Sequence, residues 1–187
     1  MRIVAGTLRG RPIAAPKHEG LRPTSDRVRQ SLFNVLEHGL DDFTLQGARV
    51  AYLFAGAGAL GLEALSRGAA FCLFVEESAQ ARALIRANIE TLQLTGATRI
   101  FRRSATDLGP AGTVAPFALA FLDPPYGKRL GEQALASLAS GGWLLPGAVA
   151  VLEESAGAVV ELPPEFKEID KRRYGDTEIR ITRYQRA

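Results

Sequence analysis

The sequence has little of what disulfides and metal sites are made from: one cysteine and two histidines in 187 residues. A lone cysteine excludes an intramolecular disulfide. Cys72 lies inside the apolar run Phe71–Val75, where it reads as a small core residue. His18 and His38 stand apart from any Cys/His/Asp cluster, so no metal site is expected. No apolar stretch is long enough to span a bilayer, and no signal-peptide core follows the first residues. The expectation is a cytoplasmic protein with no membrane partner. Neither sign of charge dominates, with 23 Lys+Arg against 20 Asp+Glu and a formal net charge of +3. Repeats, low-complexity tracts and an interdomain linker are missing as well. At 47% hydrophobic the chain can bury one core, so residues 1–187 are read as a single domain.

The most informative residues present are Asp123-Pro124-Pro125-Tyr126, which follow the apolar run Phe117–Leu122. Two prolines after such a run predict a buried strand that stops abruptly, because proline donates no backbone hydrogen bond and fixes φ. Asp123 and Tyr126 then stand at the carboxyl end of a strand, where open α/β sheets bind ligands. A carboxylate, a carbonyl from a proline-rich turn and an aromatic face together suit a planar group bearing an NH₂. An ordinary Asp-Pro turn is the plain alternative.

Gly56-Ala57-Gly58-Ala59-Leu60-Gly61 has the spacing G-x-G-x-x-G. It sits between the strand-like Arg49–Phe54 and a helical pattern, Leu60–Arg67. Strand, glycine turn and helix start is the context in which this fingerprint lets a ligand approach backbone and helix N-terminus. A second strand, Phe71–Val75, ends in Glu76-Glu77, and Glu76 lies twenty positions beyond Gly56. An acid there commonly accepts from a ribose diol. Nicotinamide, flavin and S-adenosylmethionine (SAM) sites share the pattern, and a glycine turn packed without ligand is the alternative.

The remaining chain continues a strand–helix alternation. A helix over Gln80–Leu94, a strand over Arg99–Arg103, a helix over Leu130–Ala139 and a strand over Ala148–Glu153 predict a parallel sheet covered on both faces. Phe166–Tyr174 and Glu178–Tyr184 flank Gly175-Asp176 as a closing antiparallel hairpin. Ahead of this core (49–187), residues 1–38 read as a basic hairpin, a loop over His18–Arg22, and a helix capped by Thr24 or Ser25. That helix carries Val28, Leu32, Val35 and Leu36 on one face. Arg2, Arg9, Arg11, Lys17, Arg22, Arg27 and Arg29 crowd this segment, and Lys171-Arg172-Arg173 form a second basic cluster. Such density suits a phosphate backbone; a solvated surface is the alternative.

On these residues the chain resembles the RsmD-type ribosomal RNA guanine-N2 methyltransferases over nearly its whole length. The matching segments are Arg22 to Leu36 (RPTSDRVRQSLFNVL), Leu53 to Ala69 (LFAGAGALGLEALSRGA), Phe121 to Gly127 (FLDPPYG) and Arg173 to Thr177 (RYGDT). The first two are long and specific, whereas Asp-Pro-Pro-Tyr also occurs in adenine-N6 and other amino methyltransferases. The resemblance implies a Rossmann-like SAM-dependent methyltransferase fold, its seven-stranded sheet ending in an antiparallel strand. It implies methylation of one guanine of small-subunit rRNA, position 966 in the family's name, with a partly assembled subunit as substrate. Asp123, Pro124 and Tyr126 become the catalytic candidates. Phe54, Gly56, Gly58, Gly61, Glu76, Ser104 and Asp123 become the cofactor-binding candidates, and Arg9, Arg11, Arg22 and Arg27 the RNA-binding ones.

Two positions depart from the family's pattern. Tyr52 stands where the family usually has an Asp that helps fix the methionine end of SAM. Ser104 stands where an Asp can meet the adenine amine; its hydroxyl still accepts a hydrogen bond, and Asp107 is a nearby substitute. These departures motivate one rival reading, a non-catalytic RNA-binding protein on a methyltransferase fold. A DNA adenine-N6 or protein-glutamine methyltransferase is the other.

Overall fold

The computed structural model describes residues 1–16 and 25–186. Its centre is a seven-stranded sheet built from β1 (Arg49–Leu53), β2 (Phe71–Val75), β3 (Thr98–Phe101), β4 (Phe117–Leu122), β5 (Leu144–Ser155), β6 (Phe166–Tyr174) and β7 (Thr177–Tyr184). The strand order is β3-β2-β1-β4-β5-β7-β6. All pairs from β3 to β5 are parallel, and β7 runs antiparallel to both β5 and β6. The expected sheet, with its last strand reversed, is what the chain forms. The order turns outward from β1 and β4, so the carboxyl ends of these two strands mark the switch point at which open α/β sheets bind ligands.

Side chains alternate across the strands, as a pleat requires. Val50, Tyr52, Cys72, Phe74, Leu119, Phe121, Val149 and Val151 face one core. It lies under α1 (Asp26–His38), α2 (Ala59–Ser66) and α3 (Ala79–Thr91). Ala51, Leu53, Leu73, Val75, Ala120, Leu122, Ala150 and Leu152 face a second core beneath α4 (Leu130–Ser140). Strands buried on both faces explain why these runs read as continuously apolar. Most element ends fall within a few residues of expectation. The largest difference is β5, which begins at Leu144 rather than Ala148 because Phe117 pairs with Leu144 across a register shift.

Ser25, not Thr24, supplies the α1 cap, its hydroxyl accepting from Val28 N at 3.2 Å. Thr24 and the expected His18–Arg22 loop lie outside the described residues, as do Lys17 and Arg22. The N-terminal hairpin is reduced to one antiparallel bridge, Arg2 with Pro12. Its docking is nevertheless extensive. Glu63 of α2, fully buried, accepts from Val4 N at 2.9 Å and Ala5 N at 3.1 Å. The same carboxylate meets Arg67 Nε at 2.9 Å and Arg29 Nε at 3.9 Å. Arg67 extends to Glu37 at 3.2 Å and lies 4.7 Å over the Phe33 ring. Hairpin, α1 and α2 are thereby joined around one buried charge.

Breaking a buried ion pair from one side leaves uncompensated charge, typically at a cost of about 3–5 kcal/mol. Glu63→Ala removes one carboxylate partner from each of two buried arginines and the acceptor of two backbone N–H groups. Urea unfolding of that variant is expected to lose stability of that order; a loss within the scatter of surface substitutions contradicts the assignment.

Candidate active site

One register carries the site. Leu53 pairs with Val75 on one side and Leu122 on the other, and Leu122 pairs with Leu152. The next residues on these four adjacent strands are Glu76, Phe54, Asp123 and Glu153, so they line up along the carboxyl edge of the sheet. Tyr52 lies two residues before Phe54 on β1, on the α1–α3 face. Its ring is 6.2 Å from Phe74 and 5.9 Å from Phe121, and the residue is buried. Burial, then the charges of Asp123 and Glu153, raise the Tyr52 phenol well above its usual range.

The glycine turn begins at Phe54, whose φ of 57° is left-handed and unusual for a bulky residue. Gly56 follows at φ 56°, with open space where a Cβ would stand. Gly61 has a different reason to lack a side chain: a Cβ there would come within 2.6 Å of the Phe74 ring and 2.7 Å of Cys72 Sγ. It therefore seats α2 on β2, while Gly56 keeps backbone accessible. Gly58 caps the helix in the left-handed region.

Glu76 ties the turn to β2. Its Oε2 accepts from Gly56 N at 3.1 Å and its Oε1 from Ser78 N at 3.2 Å. A carboxylate has about four acceptor positions, so two remain for a ligand beside the turn. Glu77 is exposed. Ser104 is engaged locally: its hydroxyl lies 2.8 Å from Thr106 Oγ1 and accepts from Thr106 N at 3.3 Å. Asp107 is exposed on the same loop.

Asp123 N donates to Leu53 O at 3.3 Å, which holds the start of the Asp-Pro-Pro-Tyr turn against β1. Burial first, and Glu153 second by its charge and by a hydrogen bond, push the Asp123 carboxyl well above the usual carboxylate range. The Tyr126 hydroxyl donates to Glu153 Oε1 at 2.7 Å and lies 3.0 Å from Thr177 Oγ1, while 40% of the residue's surface stays exposed. Gly127 N donates to Glu154 Oε1 at 3.0 Å. The turn is thus braced from β5 and β7. Sequence reasoning singled out neither Glu153, Glu154 nor Thr177. The available signal was the paired acid at the end of an apolar strand, the same pattern that drew notice to Glu76-Glu77.

The basic candidates separate in space. Thr7 N donates to Ser66 O at 2.8 Å, and Arg11 Nη2 to Thr91 O at 2.9 Å. Arg9 and Arg11 therefore accompany the carboxyl ends of α2 and α3, opposite the helix ends that meet the glycine turn. Arg27 instead lines an open groove of about 460 Å³ with Gln30, Asn34 and His38 of α1 and Arg172 of β6. A second hollow continues from Arg27 to Tyr174 and Gly175, beside the β7 residue that meets Tyr126. Among the described residues, no group of three His, Cys, Asp or Glu side chains is placed to hold a metal, and no helix is long and apolar enough to cross a membrane.

Residues 1–183 match the family model described as Conserved hypothetical protein 95. Ribosomal RNA small subunit methyltransferase D of Escherichia coli K12 is 40% identical over 154 residues, covering 82% of this chain and 74% of that protein. The Haemophilus influenzae protein of the same name is 33% identical over 184 residues, covering 97% of this chain and 92% of its own. A solved E. coli structure superposes with a TM-score of 0.84 at 31% identity, covering 100% of this chain and 99% of that one. An RNA methyltransferase of Salinibacter ruber, solved with S-adenosyl-L-homocysteine, shares the fold with a TM-score of 0.66 at 11% identity, over 89% of this chain and 95% of that one. With the match running through the hairpin, the glycine turn and the Asp-Pro-Pro-Tyr edge alike, the chain belongs to the RsmD family of ribosomal RNA small-subunit methyltransferases.

Proposed function

We propose that this protein methylates the exocyclic N2 amine of a guanine in small-subunit rRNA, using SAM, by direct in-line transfer. The observation that carries the reading is the edge row itself: the amine-holding Asp123 and the cofactor acid Glu76 flank one glycine turn. The residues fit the cofactor. Gly56 offers an uncovered backbone, and Glu76 keeps two acceptor positions toward the space beside it. Phe54, Gly58 and Ser104 complete the proposed cofactor contacts. When bound, SAM supplies a methyl group already activated by its positive sulfur.

What the protein must supply is alignment. Guanine's amine lone pair is delocalised into the ring, so the nitrogen is a poor nucleophile. Asp123 and the Pro124 carbonyl each accept one N–H, drawing the nitrogen toward tetrahedral geometry. The Tyr126 ring, steadied through its hydroxyl, stacks on the base. Near-attack alignment can contribute roughly 7–11 kcal/mol in favourable cases. The base must leave its stack to reach this edge. Arg27 and Arg172 hold phosphates flanking the target, whereas Arg9 and Arg11 meet RNA farther from it. A partly assembled subunit is the proposed partner.

Labelled SAM with unmodified small subunits, followed by digestion to nucleosides, is expected to yield N2-methylguanosine. N6-methyladenosine would overturn the substrate, and absence of any transfer would favour an RNA-binding role. In the same assay Asp123→Ala is expected to lose turnover by orders of magnitude with SAM affinity nearly intact, and Asp123→Asn to retain part of it, since its amide oxygen still accepts.

Hydrogen bonds to a charged group contribute about 1.5–3 kcal/mol, so Glu76→Ala should weaken SAM at least tenfold by calorimetry. Glu77→Ala should leave it unchanged; the reverse pattern moves the ribose contact to Glu77.

RNA binding across a salt series separates the basic groups. Removing one arginine–phosphate pair lowers the salt slope by about one, so Arg27→Ala with Arg172→Ala should flatten it by about two and weaken binding. Arg9→Ala with Arg11→Ala should flatten the slope while leaving turnover at saturating RNA untouched. SAM affinity should hold in both pairs, and an unaltered slope in either marks its arginines as ordinary solvated surface.

A further inference from the structure

Two carboxyl groups meet at the reacting edge, and the alignment of the amine uses only one. Asp123 and Glu153 follow the paired residues Leu122 and Leu152 on adjacent parallel strands, so the two carboxyls stand side by side at this edge, where Glu153 raises the Asp123 carboxyl through its charge and a hydrogen bond. Ionised carboxylates are acceptors only, so that bond needs a proton on one of them. Glu153 is also held in place from the rim, because the Tyr126 hydroxyl donates to its Oε1 at 2.7 Å. The groups facing the pair are Tyr52 from β1, Glu76 at the end of β2, Tyr126 and Thr177, with Glu154 next along β5. Glu154 is already occupied by Gly127 N at 3.0 Å and Ser155 N at 2.8 Å.

We propose that Glu153 is a positioning residue that shares one proton with Asp123 and thereby sets the charge Asp123 presents to the amine. With the proton on Glu153, Asp123 faces the amine as a carboxylate and accepts its N–H. During transfer the nitrogen lone pair forms the N–C bond as the donor's C–S bond breaks, leaving its electron pair on sulfur. The nitrogen then carries one proton too many, which passes to Asp123. The pair, now holding two protons, returns one to water at the partly exposed Glu153 and Tyr126 rim. Electrons and protons balance with no further reactant.

The inference rests on the amine-methylation reading for the direction of proton travel, but its test does not require activity. Carboxyl ¹³C titration of Asp- and Glu-labelled free protein reads the pair directly. In the wild type Asp123 should titrate well above the other aspartates. Glu153→Gln keeps an oxygen for the Tyr126 hydroxyl but removes charge and shared proton, so Asp123 should move about one unit or more toward the ordinary range. Glu153→Asp should keep it raised. Single-turnover methylation should follow. The rate requires ionised Asp123, falls as pH drops through its titration, and should persist to lower pH in Glu153→Gln. An Asp123 titration unmoved by Glu153→Gln overturns the proposal and leaves Glu153 as a mere anchor for Tyr126. A pair that titrates as expected in a chain that methylates no rRNA leaves the proposal standing and removes the function instead.

Discussion

Parallel pairing in a common register is the constraint on which the site depends. With Val75, Leu53, Leu122 and Leu152 aligned across β2, β1, β4 and β5, whatever follows them is delivered to one edge. A slip of one residue in any pair would send its acid to the opposite face. The buried apolar rows secure that register: the four leucine and valine side chains are at most 1% exposed. Stability and function are coupled at this point, since the same pleat that fills two cores also aims Asp123, Glu153 and Glu76 over Tyr52.

The basic segment shows why charge density alone misleads. Arg29 is fully buried between Asp26 and Glu63, and Arg2 pairs with Asp26 at 3.5 Å. Arg180 of β7 pairs with Glu168 and Glu178. A guanidinium buried against a carboxylate, as Arg29 is, has little left for phosphate. The groove beside α1 gathers arginines from regions far apart in sequence, Arg27 and Arg172, next to polar amides and along the path to Tyr126; Arg172 pairs through Nε with Asp170 at 3.0 Å while about half of its side chain stays exposed.

The departures from the family pattern acquire a physical reading. Tyr52 fills the hollow between Phe74 and Phe121 with its ring and borders the carboxylate edge with its phenol, which burial first and the neighbouring negative charges second hold protonated. It offers a neutral hydroxyl where an acid would add a further charge to an already crowded row. Ser104 closes its own turn with Thr106, so its hydroxyl is a shared rather than a free acceptor.

Much of the fold was legible in the sequence because its signals are local. Continuous apolar runs, a glycine turn, prolines after Leu122 and a cap at Thr24 or Ser25 act within a few residues, and period and turn chemistry declare them. The Asp123 and Glu76 candidates were legible for the same reason, each ending a strand. Nothing local told Glu153 from Glu154, or marked Thr177, because their roles arise from β5 and β7 closing over a turn that ends 27 and 51 residues away along the chain. Nor did composition reveal which arginines are internal, since Glu63 lies 34 positions from Arg29 in sequence and 3.9 Å from it in space. The sequence by itself determined the strands, the turn and the acids at their ends. Only the tertiary structure decided which carboxyls share an edge, because that depends on pairing between distant segments, where packing of both cores outweighs any local preference.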